Sequence, residues 1–267
     1  MTSTDPTCVP HWPKITVVTP SYNQGRFLEA TLRSVLEQDY PNLEYIVVDG
    51  GSTDESVDII RRYEDRLNYW HSRKDNGQAD AIASGFEMAT GEILCWLNSD
   101  DVFLPGTLRH VAGLFLRHPD SRFVYGNRRV IDESGVVTDS HHWPYFIHRY
   151  HWALGQYLAQ ECTFWKADLY RQVGGIDRSR FFIMDYDLFF RMWRVTRFRK
   201  TSRFLGSIRV HGETKNSLHQ PVRERELEEA LARYGIRKPG PLLLRAINRF
   251  DHWQTKFERW LIRTGHV

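Results

Sequence analysis

Asp100 and Asp101 stand side by side at the end of the apolar run Ile93-Leu-Cys-Trp-Leu97, just after Asn98 and Ser99. Adjacent carboxylates repel unless a cation or a hydrogen-bonding ligand relieves them. Hard oxygen donors of this kind suit Mg²⁺ or Mn²⁺, which keep open positions for phosphate oxygens. The same two residues also suit the N-cap of a helix that begins near Pro105. Other polar clusters are Thr19-Pro-Ser-Tyr-Asn23, Asp49-Gly-Gly-Ser-Thr-Asp54, Asn76-Gly-Gln-Ala-Asp80, Met184-Asp-Tyr-Asp187 after Gly174-Gly-Ile-Asp177, and His211. Several of them follow predicted strands. Ligands of open α/β sheets lie outside the carboxyl ends of the strands, so these clusters are expected to share one crevice.

The elements that must position them follow from periodicity. Ile15 to Thr19 and Glu44 to Val48 read as buried, β-branched strands. Phe27, Leu28, Leu32, Val35 and Leu36 recur at helical spacing between them. Ser52 with Glu55 has the form of a capping box. A short strand around Leu67 to His71 precedes a small-residue helix from Gln78 to Ala89. The strand ending at Asp101 and a helix from Pro105 come next. This rhythm predicts an α/β fold: a Rossmann-like, doubly wound, mostly parallel central sheet with flanking helices. Beyond it, Phe123 to Ile131 reads as a strand, Asp132 to Gly135 as a hairpin turn, and Phe204 to Val210 as another strand. A helix starting near Asp185 continues through Trp193. From about Leu218 the chain is charged and helical, with Gly240 and its flanking prolines separating two helices.

Bulk properties narrow the class. A chain of 267 residues holds one large α/β domain with an appendage. A net charge of +3 does not point to nucleic acid. Cys8, Cys95 and Cys162 are too few and too scattered for a disulfide framework or a zinc site, so a reducing compartment is the default. No signal peptide and no apolar run of membrane-spanning length is visible. The expected division is a flexible N-terminal tail over 1–13, a catalytic domain over 14–217 and a C-terminal helical extension over 218–267. A dinucleotide-dependent dehydrogenase does not fit, because Pro20 to Gly25 lacks the glycine pattern of that fold's phosphate loop.

Taken in order, the clusters resemble the inverting, metal-dependent glycosyltransferases of bacterial family 2, which have the nucleotide-sugar-binding GT-A fold. The resemblance covers roughly 15–216. It implies a divalent metal (Mn²⁺ or Mg²⁺), a UDP-, GDP- or dTDP-sugar donor, and a glycan or lipid-linked acceptor. The expected activity is non-processive transfer to an acceptor hydroxyl in surface polysaccharide or glycoconjugate assembly, in the cytoplasm or on the inner face of its membrane. The chain lacks the Gln-x-x-Arg-Trp segment of processive relatives. A non-catalytic nucleotide-sugar-binding or scaffolding module of the same fold is the alternative.

The resemblance also distributes roles. Asp49 would accept a hydrogen bond from the base, as a carboxylate suits the N–H edge of uracil, thymine or guanine; a turn aspartate before Gly-Gly is the other reading. Thr19, Pro20 and Tyr22 would wall the nucleoside. Gln78 and Asp80 would line the donor pocket, where the helix N-terminus at Gly77 favours a diphosphate. Asn98, Ser99 and Asp100 would touch the donor, and Asp100, Asp101 and His211 the metal. Many relatives have aspartate where this chain has Asn98, which leaves open how ribose and metal divide between Asp100 and Asp101. Asp185 would be the base that deprotonates the acceptor. Asp187, four residues before Arg191, would be structural. The aromatic segment His141, His142, Trp143, Tyr145, Trp152 and Tyr157 either stacks on acceptor sugars or packs.

In the extension, Ile247, Phe250, Trp253, Phe257 and Trp260 share one helical face, with Arg245, Arg249, Lys256, Arg259 and Arg263 beside it. That pattern suits a membrane surface, or a helix docking its aromatic face on its own domain or on a homodimer partner.

Overall fold

The structure is a computed structural model that describes residues 11–145, 147–155, 158–212 and 220–263, with side chains described to residue 260. Cys8, Tyr157, the first ten residues of the expected tail, the boundary at 217/218 and the side chain of Arg263 lie outside the described residues.

The first half alternates as expected: β1 (Ile15–Ser21), α1 (Gly25–Leu36), β2 (Leu43–Asp49), α2 (Ser56–Arg62), β3 (Tyr69–Ser72), α3 (Gln78–Met88), β4 (Ile93–Trp96), β5 (Val102–Phe103) and α4 (Thr107–Arg117). Then follow β6 (Phe123–Ile131), β7 (Val137–His141), α5 (Arg149–Ala153), β8 (Thr163–Lys166), α6 (Ala167–Gln172), α7 (Met184–Trp193) and β9 (Phe198–Arg209). Two helices, α8 (Gln220–Arg233) and α9 (Pro241–Arg263), form the extension. The strands make one sheet in the order β3-β2-β1-β4-β8-β6-β9-β5, with β7 on β6. Strands β3, β2, β1 and β4 are mutually parallel, and so are β6 and β9. The sheet is mixed because β8, β5 and β7 pair antiparallel with their neighbours.

The strand pleat divides the core. Ile15, Val17, Tyr45 and Val47 enter one buried cluster with Leu28, Leu32 and Val111. Val18, Ile46 and Val48 enter the other with Ile82, Phe86 and Phe189. Successive side chains point to opposite faces, so a strand covered on both sides reads as a continuous apolar run. Helix α3 lies so close to β1 that a Cβ on Gly85 would stand 2.4 Å from the Val18 side chain. The small residues expected over Gln78–Ala89 are what permit that approach.

Several local expectations change. The Ser52–Glu55 capping box does not form: the Ser52 hydroxyl donates to Asp49 Oδ1 at 2.6 Å, and α2 starts at Ser56, whose N–H donates to Asp54 Oδ1. Helix α4 starts two residues after Pro105, behind Gly106 at φ 76°. Strand β9 begins at Phe198, six residues before the expected start.

Helix α9 docks through its polar side. Asp251 is 3.0 Å from His151 Nε2, Gln254 Oε1 accepts the Tyr145 N–H at 3.1 Å, and the fully buried Glu258 pairs with Lys200 at 2.5 Å and with Asn127 at 3.0 Å. Burial pushes the Lys200 ammonium down to about 8, against the raising effect of Glu258. Phe250, Trp253, Phe257 and Trp260 face outward and stack in succession, each about half exposed. Asp251, Gln254 and Glu258 lie about 100° round the helix from the aromatic row, so the aromatic face expected to dock is turned outward from the domain here.

Candidate active site

The parallel register brings the carboxyl ends of β1 and β2 level, with Ser21 opposite Asp49. Their loops are tied together. Asn23, at φ 50°, takes the Thr53 N–H at 2.8 Å and gives its own N–H to the Ser52 hydroxyl. Asp54 Oδ2 accepts the Gly25 N–H at 2.8 Å, at the start of α1.

Asp49 has no exposed surface. Its two oxygens accept four hydrogen bonds, from the Gly51 and Ser52 N–H groups and the Ser52 and Ser72 hydroxyls, at 2.6–3.1 Å. In this arrangement the Asp49 carboxylate, expected to contact the base, folds the turn after β2, and these four hydrogen bonds all stay within the protein. Thr19 and Pro20 are likewise buried within β1, the Thr19 hydroxyl 3.0 Å from that of Tyr45. Tyr22, 61 % exposed, is the residue of that group left at the surface.

At the start of α3, Gln78 Nε2 donates to Asn98 Oδ1 at 2.9 Å, which joins the helix N-terminus to the end of β4. Asp80 accepts from the Asn76 N–H and amide and pairs with Arg178 at 2.6 Å. Burial alone would raise the Asp80 carboxyl, but the Asn76 donors and the Arg178 charge outweigh it and hold it below its ordinary value. Arg178 comes from the loop ahead of α7 and also reaches Glu87, so it fastens that loop across α3.

The turn carrying Asp100 and Asp101 is held from two sides, by α1 and by the end of β9. The Thr31 hydroxyl of α1 lies 2.9 Å from the Ser99 carbonyl and 2.7 Å from the Asp101 carbonyl. Arg209 donates its backbone N–H to Asp101 Oδ1, its Nε to the Asp100 carbonyl, and Nη1 to the Asp132 and Glu133 carbonyls of the β6–β7 hairpin. Sequence reasoning missed both residues, since neither belongs to a cluster and their partners lie 68 to 109 positions away. Asp101 is 2 % exposed, and burial, with Asp100 and Glu161 nearby, pushes its carboxyl well above the usual range. Asp101, expected among the metal contacts, is here a buried carboxyl that accepts the Arg209 N–H and serves the turn. Ser99, 5 % exposed, is also part of the turn's interior.

Asp100 keeps an exposed edge, its side chain 23 % accessible, and His211 Nε2 lies 3.2 Å from Asp100 Oδ2. The His211 ring is held against Phe27, centroids 4.7 Å apart. Among the described residues no group of three His, Cys, Asp or Glu side chains is placed to hold a metal. One carboxylate and one imidazole still fit Mg²⁺ or Mn²⁺, which are commonly held by one or two protein ligands and completed by substrate phosphates and water.

Asp185 is in the first turn of α7, partly exposed, with Oδ1 accepting the Tyr186 N–H at 2.7 Å. Asp187 is fully buried and bonded to Arg191 at 2.7 and 2.9 Å and to the Tyr234 hydroxyl, so the expected helical ion pair is present. The loop before α7 is fixed by a residue that sequence reasoning did not single out. Glu226 of α8 accepts the Phe181, Phe182 and Ile183 N–H groups at 2.8–3.1 Å. In the aromatic segment, Trp152 is 1 % exposed and packs on Tyr186, Phe190 and Trp193, which makes it core.

Comparison with known proteins bears on the fold and the class. A model of glycosyl transferase family 2 matches residues 16–171, more than half of the chain. An uncharacterised glycosyltransferase of Rickettsia prowazekii is 28 % identical over 223 residues, covering 80 % of this chain and 70 % of its own. The putative teichuronic acid biosynthesis glycosyltransferase TuaG of Bacillus subtilis is 39 % identical over 139 residues, about half of each chain. Among solved structures, the mannosyltransferase PcManGT of Pyrobaculum calidifontis in complex with GDP-Man and Mn²⁺ superposes with a TM-score of 0.64 at 21 % identity, over 96 % of this chain and 73 % of that one. TarS of S. aureus in complex with UDP-GlcNAc gives 0.63 at 18 % identity, over 82 % of this chain and 66 % of that one. These structural likenesses carry the GT-A fold, and the family match carries the class: the chain belongs to glycosyl transferase family 2 and is a glycosyltransferase.

Proposed function

We propose that this chain transfers a sugar, with inversion and one residue at a time, from a nucleotide-sugar to an acceptor hydroxyl in surface polysaccharide or glycoconjugate assembly. The observation that carries the reading is the meeting of His211 with Asp100 at 3.2 Å beside the N-terminus of α3, where Gln78 touches Asn98. Asp100 and His211 hold a divalent metal together with the donor diphosphate. When bound, the metal supplies Lewis-acid neutralisation of the departing nucleoside diphosphate. The positive end of the α3 dipole faces the same charge. Tyr22 lies on the nucleoside. Asp185 accepts the proton of the acceptor hydroxyl as that oxygen attacks the anomeric carbon from the side opposite the leaving group, which inverts the centre. The complexes of PcManGT with GDP-Man and Mn²⁺ and of TarS with UDP-GlcNAc support a donor of this class and a metal. The test is turnover of radiolabelled nucleotide-sugars with wild type and Asp185→Asn. Transfer by the wild type that the variant lacks, at equal donor affinity, is expected.

The acceptor is lipid-linked and is met at a membrane surface. Among the described residues no helix is long and apolar enough to cross a membrane. Helix α9 instead offers an outward aromatic row with exposed Arg245, Arg249, Lys256 and Arg259 along it. Aromatic and basic residues on one exposed helical surface suit the anionic headgroup boundary. Flotation with vesicles containing anionic lipid, lost in Trp253→Ser/Phe257→Ser, is the expected result. Absence of flotation with a dimer in solution assigns the row to a second copy of the chain.

A further inference from the structure

With Asp49 enclosed, another group must recognise the base of the donor, and the structure offers one. A side chain added at Gly50 would meet the carboxylate of Asp75: its Cβ would stand 2.9 Å from Asp75 Oδ2 and 3.2 Å from Oδ1. Gly50 does not have a left-handed backbone, so what an added side chain would meet at this position is Asp75. The loop after β3 thus delivers a carboxylate to the mouth of the turn after β2, into space that position 50 leaves vacant.

Asp75 is also available. Among the described residues, the Gly77 N–H donates to Oδ1 at 2.8 Å, and no donor reaches Oδ2. The residue lines a cavity of about 290 Å³ with Val48, His71, Arg73, Asn76 and Asp80. His71 stands in the same wall with its Nδ1 buried and without a partner. Burial, with Asp80 and Asp49 nearby, lifts the Asp75 carboxyl above its ordinary value, the mark of an acceptor short of donors. Asp49 is the contrast: the same charge, four donors and no exposed surface.

We propose that the Asp75 carboxylate, reaching across Gly50, reads the base of the donor by accepting its ring N–H, and so selects uracil, thymine or guanine. This rests on the nucleotide-sugar reading above. A carboxylate has only acceptors to offer. It pairs with the imide N–H of uracil and thymine or with the N1–H and amino group of guanine. It opposes the ring acceptors that cytosine (N3) and adenine (N1) present on the same edge. A site built around one such contact rejects the base that lacks it because the protein group is left unpaired. A hydrogen bond to a charged group corresponds to about ten- to hundredfold in affinity.

The experiment is calorimetric titration of UDP, dTDP, GDP, CDP and ADP, and of inorganic pyrophosphate, each with Mn²⁺, into the full chain and its variants. The wild type should prefer one of UDP, dTDP or GDP over CDP and ADP by at least about tenfold. Asp75→Ala should lose that preference while pyrophosphate binds as before. Asp75→Asn, which keeps the shape and adds a donor, should narrow the gap to CDP. Gly50→Asp alone should bind poorly, because its carboxylate would collide with Asp75. Gly50→Asp/Asp75→Gly moves the carboxylate to the other loop and should restore the preference. Selective binding by the wild type with Asp75→Ala and Asp75→Asn unchanged in affinity and rank order overturns the role of Asp75 and leaves the transferase reading standing. A wild type that binds none of the nucleotides with Mn²⁺ overturns both.

Discussion

His211 Nε2 and Asp100 Oδ2 lie 3.2 Å apart although 111 residues separate them in the chain. Arg209, two residues before His211, clasps the backbone of the Asp100–Asp101 turn, so the end of β9 and the end of β4 are positioned as one unit. A metal and a diphosphate bound there would feel the loss of either side chain. Asp100→Asn and His211→Gln are each expected to weaken Mn²⁺-dependent nucleoside diphosphate binding about 10- to 100-fold, measured by calorimetry, while metal-free binding changes little.

Asp185 and Asp187 sit two residues apart in the same helical turn, and opposite results are expected from them. Asp185→Asn should lower the transfer rate about 10²- to 10⁴-fold with the melting temperature and donor affinity unchanged. Asp187→Ala removes the buried partner of Arg191 and Tyr234 and should cost about 3–5 kcal/mol of stability. Thermal melts and donor turnover on both variants separate the two roles.

Glu226 holds the backbone directly ahead of Asp185 from outside the family-matched segment. Glu226→Ala leaves three N–H groups without their acceptor and should destabilise the protein by about 2–3 kcal/mol, since hydrogen bonds to charged groups are the strong ones. Chemical denaturation measures it. Glu226→Gln, which keeps one acceptor oxygen, should recover part of the loss.

The Lys200–Glu258 pair predicts a pH dependence. Lys200 titrates at about 8, below the ordinary 10.5, so between those values this residue holds more proton in the unfolded chain than in the folded one. Its own contribution to stability therefore rises with pH across that window, by up to about 1.4 kcal/mol per pH unit. Below pH 8 the cost of burying the ammonium is fully present. Lys200→Met lacks this titration, so the difference in melting temperature between wild type and variant should shift toward the wild type from pH 8 to 10.

The parallel half of the sheet was legible because strands buried on both faces leave β-branched runs, as in Ile15 to Thr19 and Glu44 to Val48, with polar clusters at their carboxyl ends. The hairpin at Asp132 to Gly135 was legible from its turn residues. Strand β5 carries two residues, too short for a period, and was not, nor was β8. Asp49 shows what pattern cannot resolve: an aspartate before Gly-Gly can face a ligand or close its own turn, and only the positions of Ser52 and Ser72 decide. Thr31, Arg209 and Glu226 act through contacts over 43 residues or more, which leave no local trace. Helix α9 announced an aromatic face in its spacing, but Glu258, Gln254 and Asp251 fix which face docks, through partners on β6, β9, α5 and the segment between β7 and α5.

The most direct measurement is thermal melting of the wild type with UDP, dTDP or GDP, each with and without Mn²⁺, beside Asp100→Asn. A ligand at about 100 times its dissociation constant adds about 2.7 kcal/mol to stability, which a melting curve resolves. A nucleotide-selective rise that needs Mn²⁺ and disappears in Asp100→Asn is the predicted result. Melting unchanged by every nucleotide with Mn²⁺, or a rise that Asp100→Asn retains in full, contradicts a metal-assisted donor site at Asp100 and His211.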